Sequence, residues 1–351
     1  MPCIEILGSG RLDSRNSAFP AAVQLSNGDV LCSFSVGGGP DVTGGTDWAR
    51  SSDGGETWVL EGTILEPAGG TTNALKLSVA DDGTLYAYGS RSSRTAEQTF
   101  GEGRNEAVFS VSTDNGHTWS PPRQVPMSQD CPFEISHGIL PLATGRLLAP
   151  AATLPAKDRL GEEVVVAISD DGGNTWPAYS VVFKDPEGKL GFFEQKLARI
   201  GGARVLAVCW TVTLGDVVDR ADSYTISCDD GSTWLPARTT GICGQTMTPI
   251  HLGSDRLLVL YNRRYGQQGI VMNLVTFTDE AWSIHFEGLL YDAKASRQRP
   301  EAITTGVEEF DTFAFGFPTA IRLQDGNHLT THWCKEGASF GIRWTKLRID
   351  W

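Results

Sequence analysis

The chain has 351 residues, among them 40 Gly, 17 Pro and 10 Trp, and its 29 Lys plus Arg against 42 Asp plus Glu give a formal charge of −13. The acidic balance disfavours nonspecific binding to nucleic acid or to an anionic membrane, and no run approaches the roughly 20 apolar residues of a membrane span. No His, Cys and Asp cluster has transition-metal spacing, so neither a catalytic metal nor another cofactor is expected.

The first residues, MPCIEILGSGRLDSRN, lack the basic and apolar regions of a secretory leader. The seven Cys are odd in number, form no C-x-x-C pair and lie in part within apolar runs, which predicts reduced thiols and a cytoplasmic protein. After a short strand at 3–7, a strand–turn–strand unit opens at 21–34 (AAVQLSNGDVLCSF). A third strand at 46–52 runs into SSDGGETW at 51–58, and a fourth follows the Trp. The unit recurs at 74–88, 138–150, 196–208, 248–261 and 319–333, and its N-G, D-G and G-G tips are hairpin signals. The pattern S-x-D-x-G-x-T-W recurs at 112–119, 169–176 and 227–234, so its starts are 61, 57 and 58 residues apart. Its Ser and Asp suit a turn closed on its own backbone, its Gly a positive φ, and its Trp an apolar groove. The turns therefore read as structural staples.

The fifth unit keeps only a remnant, TDEAW at 278–282. The sixth unit ends on its third strand, 340–350, and lacks a fourth. Six units of four strands predict an all-β fold, a single six-bladed β-propeller spanning 1–351. Strand 3–7 is expected to complete the last blade, leaving no long free edge.

The octapeptide is the Asp-box, or BNR repeat, and the chain resembles the sialidase superfamily of β-propellers. Strand counting puts the Asp-box turns on one face, and the entries to first strands with the loops between second and third strands on the other. Function is expected on that second face, because loops on a rigid scaffold carry sites. Its segments bring Asp41 and Asp47 (loop 37–47), Arg91, Arg94 and Arg104 (89–106), Glu134 and His137 (129–137) and Glu194 (191–195). Further round lie Trp210, then Arg263, Arg264 and Tyr265, and a long segment at 292–317 ending in Phe317.

Glu194 precedes an apolar innermost strand, where an acid is costly unless bonded, paired or solvated in a site. The resemblance agrees, because sialidases carry there the Glu that partners their catalytic tyrosine. It also places their acid/base aspartate in the loop holding Asp41 and Asp47, and leaves open which of the two matches. His137 suits acid–base work near neutral pH. Arg91, Arg263 and Arg264 suit binding of a substrate carboxylate. Three sialidase hallmarks are missing: Ser17–Ala18–Phe19–Pro20 replaces the Arg-bearing F/Y-R-I-P motif, Phe317 stands where the nucleophilic tyrosine would be, and Trp210 where a second triad arginine would lie.

The expected function is that of a carbohydrate-active enzyme, a glycoside hydrolase acting on a small or terminal sugar unit at the central channel, and not a true sialidase. Glu194 with Asp41 or Asp47 would form the carboxylate pair. Trp210, Tyr265 and Phe317 would wall the sugar, with Glu134 and the arginines binding substrate. Two alternatives stay open: a polysaccharide lyase acting on a uronic acid through His137 or Tyr265, and a non-catalytic glycan-binding propeller.

Overall fold

A computed structural model describes residues 2–93, 103–156, 158–300 and 312–351. Six antiparallel sheets stand in a ring. Blade one is Ser17–Gln24, Val30–Val36, Thr46–Ser51 and Val59–Leu65. Blade two is Thr71–Val79, Leu85–Ser93, Arg104–Ser112 and Arg123–Gln124. In blade three the innermost strand is split into Phe133–Glu134 and Leu140–Pro141, both pairing with Leu147–Thr153, and Glu163–Ser169 and Ala178–Lys184 follow. Blade four is Leu190–Arg199, Val205–Thr213, Ser223–Ser227 and Arg238–Thr239. Blade five is Gln245–Gly253, Arg256–Arg263, Gly266–Phe277 and Trp282–Arg297. Blade six is Phe315–Arg322, His328–Glu336 and Ser339–Asp350, and its outermost strand is Cys3–Asp13. The expected closure is therefore present, with Cys3 opposite Asp350 and Ile6 opposite Leu347.

The apolar core is divided into wedges, because each blade buries its faces against its two neighbours. Leu148, Phe193 and Trp210 belong to the wedge between blades three and four, and Leu31, Trp48 and Leu75 to that between blades one and two. Blades four and five share Tyr224, Met247 and Val259, and blades six and one share Phe34, Phe317 and Trp333.

The Asp-boxes are closed by their own polar atoms. In blade one Ser51 Oγ donates to Asp53 Oδ1 (2.7 Å) and accepts from Gly55 N (2.8 Å), while Thr57 Oγ1 donates to Asp53 Oδ2 (2.6 Å). The pattern repeats around Asp114, Asp171 and Asp229. The hydroxyl and N–H of Thr118 hold Asp114 at about 2, and the N–H and hydroxyl of Thr175 do the same for Asp171. These carboxylates are spent on their turns.

Each box also clamps the blade before it. A Cβ on Gly55 would lie 2.6 Å from Leu329 of blade six, and one on Gly116 2.9 Å from Leu31 of blade one. Gly173 sits in the same way on Phe109 of blade two, and Gly231 on Leu148 of blade three. Their φ angles, +79° to +93°, independently favour glycine. Blade five turns simply, with Thr278 N donating to Ala281 O (2.8 Å), and among the described residues no glycine clamp of this kind covers blade four. A crevice of about 740 Å³ opens there, lined by residues that include Ile200, Arg204, Asp255, Phe277 and Glu280.

All seven cysteines are unpaired, with Cys3, Cys228 and Cys243 exposed and Cys32, Cys209 and Cys334 buried. Burial pushes the Cys334 thiol up to about 11, and the Cys32 and Cys209 thiols higher still. Native alkylation read by mass spectrometry is expected to modify Cys3, Cys228 and Cys243 and to spare the buried three. All seven sites should react after denaturation without reductant, and a mass short by a pair of labels would disprove the thiol assignment.

Candidate active site

The site is built at four breaks in the innermost strands. The register jumps from Ala18 to Ala21, Phe193 to Lys196, Gln245 to Thr248 and Gly316 to Thr319. Each jump holds a bulge residue with positive φ: Phe19 (54°), Glu194 (51°), Thr246 (53°) and Phe317 (50°). None is glycine, so each carries strain that packing must hold, and such strain collects at functional sites.

The bulges converge at the hub. Thr246 Oγ1 donates to Glu194 Oε2 from the neighbouring blade. Phe19 and Phe317 meet edge to face, with centroids 5.3 Å apart at 89°. Lys196, two residues after Glu194, holds its Nζ 3.4 Å from the centre of the Phe317 ring and donates to Ser136 O. Lys76 of blade two donates to Ile135 O (2.5 Å) and Ala74 O (3.1 Å), with its Nζ 5.6 Å and 5.9 Å from the Phe317 and Phe19 rings. Glu134, 8% exposed, accepts from Ser136 Oγ through Oε1, and its Oε2 has no partner among the described residues.

Two carboxyls and two amines thus share a buried space, and among the described residues no ion pair links either lysine to either glutamate. Burial dominates their chemistry. It raises Glu134, and the charge of Glu194 raises it further against the Ser136 hydroxyl and the two lysines. Burial also raises Glu194, opposed by the Thr246 hydroxyl, Lys196 and Arg264. Lys76 is lowered by burial, and Lys196 by burial and then by Lys76. Burial thus pushes all four toward their neutral forms. His137 is half-buried beside Lys196, bonds Gly138 O through Nδ1 (2.9 Å) and is lowered to about 3 by burial and then by the Lys196 charge, so its ring is neutral.

The other candidates, Arg264 apart, fall elsewhere. Asp47 lies on the third strand of blade one, paired with Arg15 (3.0 Å) and accepting from Thr63 Oγ1 (2.7 Å). Asp41 is itself exposed and ends a 3-10 turn, Gly39–Asp41, whose Gly39 is buried. Arg91 forks onto Glu106 (2.6 and 3.0 Å), which Arg104 also pairs. Arg263 bonds Gln267 O (2.8 Å) and pairs with Glu287 on the outermost strand of blade five (3.3 Å). Arg264 turns inward: it is buried, bonds Gln245 Oε1 (3.1 Å) and Phe315 O, and acts on Glu194. Arg94 lies outside the described residues.

Two expected sugar walls, Trp210 and Phe317, need correction. Trp210 is 1% exposed, because Asp219 accepts its Nε1–H (2.8 Å) and its ring packs on Phe193. Phe317 is buried beneath Phe19 and Lys196, leaving Phe19 as the half-buried ring at the hub. Tyr265 lies under the guanidinium groups of Arg299 and Arg297, 5.2 and 5.8 Å from its ring centre. Sequence reasoning missed Lys76, Lys196 and Thr246. The one signal for the two lysines was charge inside apolar strands, in ALKLSV and GFFEQKLARI, and Thr246 carried none.

The BNR repeat-like domain matches residues 65–327. No curated protein matches the chain. Among solved structures the chain is similar to a Dyadobacter fermentans protein of unknown function, at TM-score 0.76 and 22% identity over 99% of both chains. It is also similar to the NanB sialidase of Streptococcus pneumoniae, at TM-score 0.67 and 12% identity over 99% of this chain and 70% of that one. A Penicillium chrysogenum alpha-L-arabinanase complexed with arabinobiose gives TM-score 0.67 and 14% identity over 97% of this chain and 98% of that one. At these identities the likeness is one of fold.

Proposed function

The chain belongs to the BNR repeat-like domain family, and on that footing we propose that it is a glycoside hydrolase acting on a small or terminal sugar unit at the hub, without sialidase activity. One observation carries the reading: Glu134 and Glu194, brought from different blades to strained or interrupted innermost strands, sit in a common field that raises both. Hydrolysis of a glycosidic bond needs such a pair, one carboxyl protonated and the other ionised. The environments divide the roles. Glu134 is the more buried and has a bare Oε2, so it keeps its proton and donates it to the leaving oxygen. Glu194 is stabilised as an anion by the Thr246 hydroxyl, Lys196 and Arg264, and serves as base or nucleophile. Phe19 offers a half-buried ring to the apolar face of a sugar. A sialidase and an arabinanase are among the similar folds, which supports carbohydrate as the substrate class.

A panel of aryl glycosides and polysaccharides, read by phenol and reducing-end release, tests the proposal. Free sialic acid should not be released from a fluorogenic sialoside, because Ala18 and Phe317 supply neither an arginine nor a hydroxyl. On the sugar that is turned over, Glu134→Gln should slow substrates with poor leaving groups by roughly 10²–10⁴-fold and spare dinitrophenyl glycosides, which need no acid. An ultraviolet-absorbing unsaturated product would favour a lyase. Wild-type turnover of a poor-leaving-group substrate by the Glu134→Gln variant would remove the acid assignment.

A further inference from the structure

The bulge at Glu194 has no ladder of its own to hold it. The register of blade four's first two strands pairs Phe193 with Trp210 and resumes only at Lys196 with Val208. The last fixed point before the bulge is therefore Phe193. Its ring meets Trp210 edge to face, with centroids 5.9 Å apart. Trp210 is fixed in turn, because its Nε1–H donates to Asp219 Oδ1 at 2.8 Å.

Asp219 gathers more than that bond. It lies between the second and third strands of blade four, bridged to Val212, with Arg220 N bonding Thr211 O (2.9 Å). Its Oδ2 accepts from Arg299 Nη1, and Arg299 Nη2 donates to Val217 O (2.5 Å). Arg299 follows the last strand of blade five and lies over Tyr265. Blade five thus reaches across the rim and bolts the blade-four turn in place through one carboxylate.

We infer that Asp219 is a positioning residue, whose carboxylate, gripped by Arg299, holds Trp210 against Phe193 and so fixes where Glu194 stands in the hub. Asp219 touches none of the hub groups itself. It acts through one part-buried indole N–H bond and one aromatic contact, both directional. The inference deepens the hydrolase reading by naming what keeps one carboxyl of the pair in place.

The test needs no substrate, so its failure is distinguishable from failure of the hydrolase reading. Glu194 is followed by carbon-13 NMR of labelled glutamate, assigned by its loss in Glu194→Gln. Its titration reports the charged groups facing it: Glu134, Lys76, Lys196, Arg264 and Asp222. Asp219→Asn and Asp219→Ala remove the same charge, but only asparagine keeps an acceptor for Trp210. The alanine variant is expected to move the Glu194 midpoint by about half a unit or more away from that of the asparagine variant, because a carboxyl's midpoint follows its distances to such groups. The Trp210 indole proton should shift in the alanine variant alone. Trp210→Phe keeps a ring against Phe193 and every charge, so it should displace the midpoint too and covers the case in which alanine fails to fold. Equal midpoints in Asp219→Asn and Asp219→Ala, or a wild-type midpoint in Trp210→Phe, would overturn the inference.

Discussion

If the proposed hydrolase reading holds, Glu194→Gln is expected to lower kcat on the glycoside turned over by at least about a hundredfold, the usual size of a lost acid–base or nucleophilic group, with the fold retained. Glutamine matches the shape, and its carbonyl can still accept from Thr246 Oγ1, so the bulge keeps its cross-blade bond. What is lost is the ionisable oxygen. Stability should respond in a defined direction. Burial raises Glu194 above its ordinary value, so between the unfolded and folded pKa the native state binds the extra proton. Its contribution to stability is then complete below the unfolded value and fades as pH rises through the folded one. The glutamine variant should lose that part of the slope, and its Tm at neutral pH should equal or exceed wild type. A structural hub carboxylate would give the opposite pair of results, a lower Tm with turnover intact.

Removing Cys3–Asp13 is expected to abolish cooperative folding or to lower Tm by more than about 10 °C, since a loss of several kcal/mol is large against a total of roughly 5–15 kcal/mol. The strand is the outer edge of blade six and pairs along Ser339–Asp350 from Cys3–Asp350 to Asp13–Ile342. Gly10 lies against the Trp344 ring so closely that a Cβ would stand 2.8 Å away. Ile4 packs on the blade-five and blade-six wedge and Leu12 on that of blades six and one. Deletion would uncover these surfaces, at roughly 1.5–3 kcal/mol for each fully buried aliphatic side chain, and leave a long free edge. Thermal unfolding of the truncated chain measures this, and an unchanged Tm would show that the ring closes without the strand.

The fold was legible because it is periodic: each hairpin and box repeats the same turn chemistry, and the edge rule alone sends 3–7 to the last blade. Glu194 was legible as an acid ahead of an apolar strand. Its partners were not. Alternation along a strand predicts which side chains share a face only while the register is regular, and one bulge reverses the count. Phe19, Thr246 and Phe317 all sit on such reversals. Glu134 was seen at the rim, but the break of its strand into Phe133–Glu134 and Leu140–Pro141 has no sequence signature that sets its burial. The rim arginines misled for a simpler reason. Arg91 stands opposite Glu106 in register and Arg263 reaches Glu287 two strands away in its own blade, pairings invisible to a position count.

The Asp-box clamps give the repeat a phase. The stretch of sequence that recurs and the body that is held together are offset by one blade, because each box seats its glycine on the blade before it. A single repeat cut from the chain would carry its neighbour's fastener and lack its own. Copying one repeat into a longer array would always fasten backward, leaving the newest member loose until something follows it. In this ring the member that follows the last is the first, and Gly55 of blade one on Leu329 of blade six makes the two ends of the chain one another's neighbour in mechanics as well as in space.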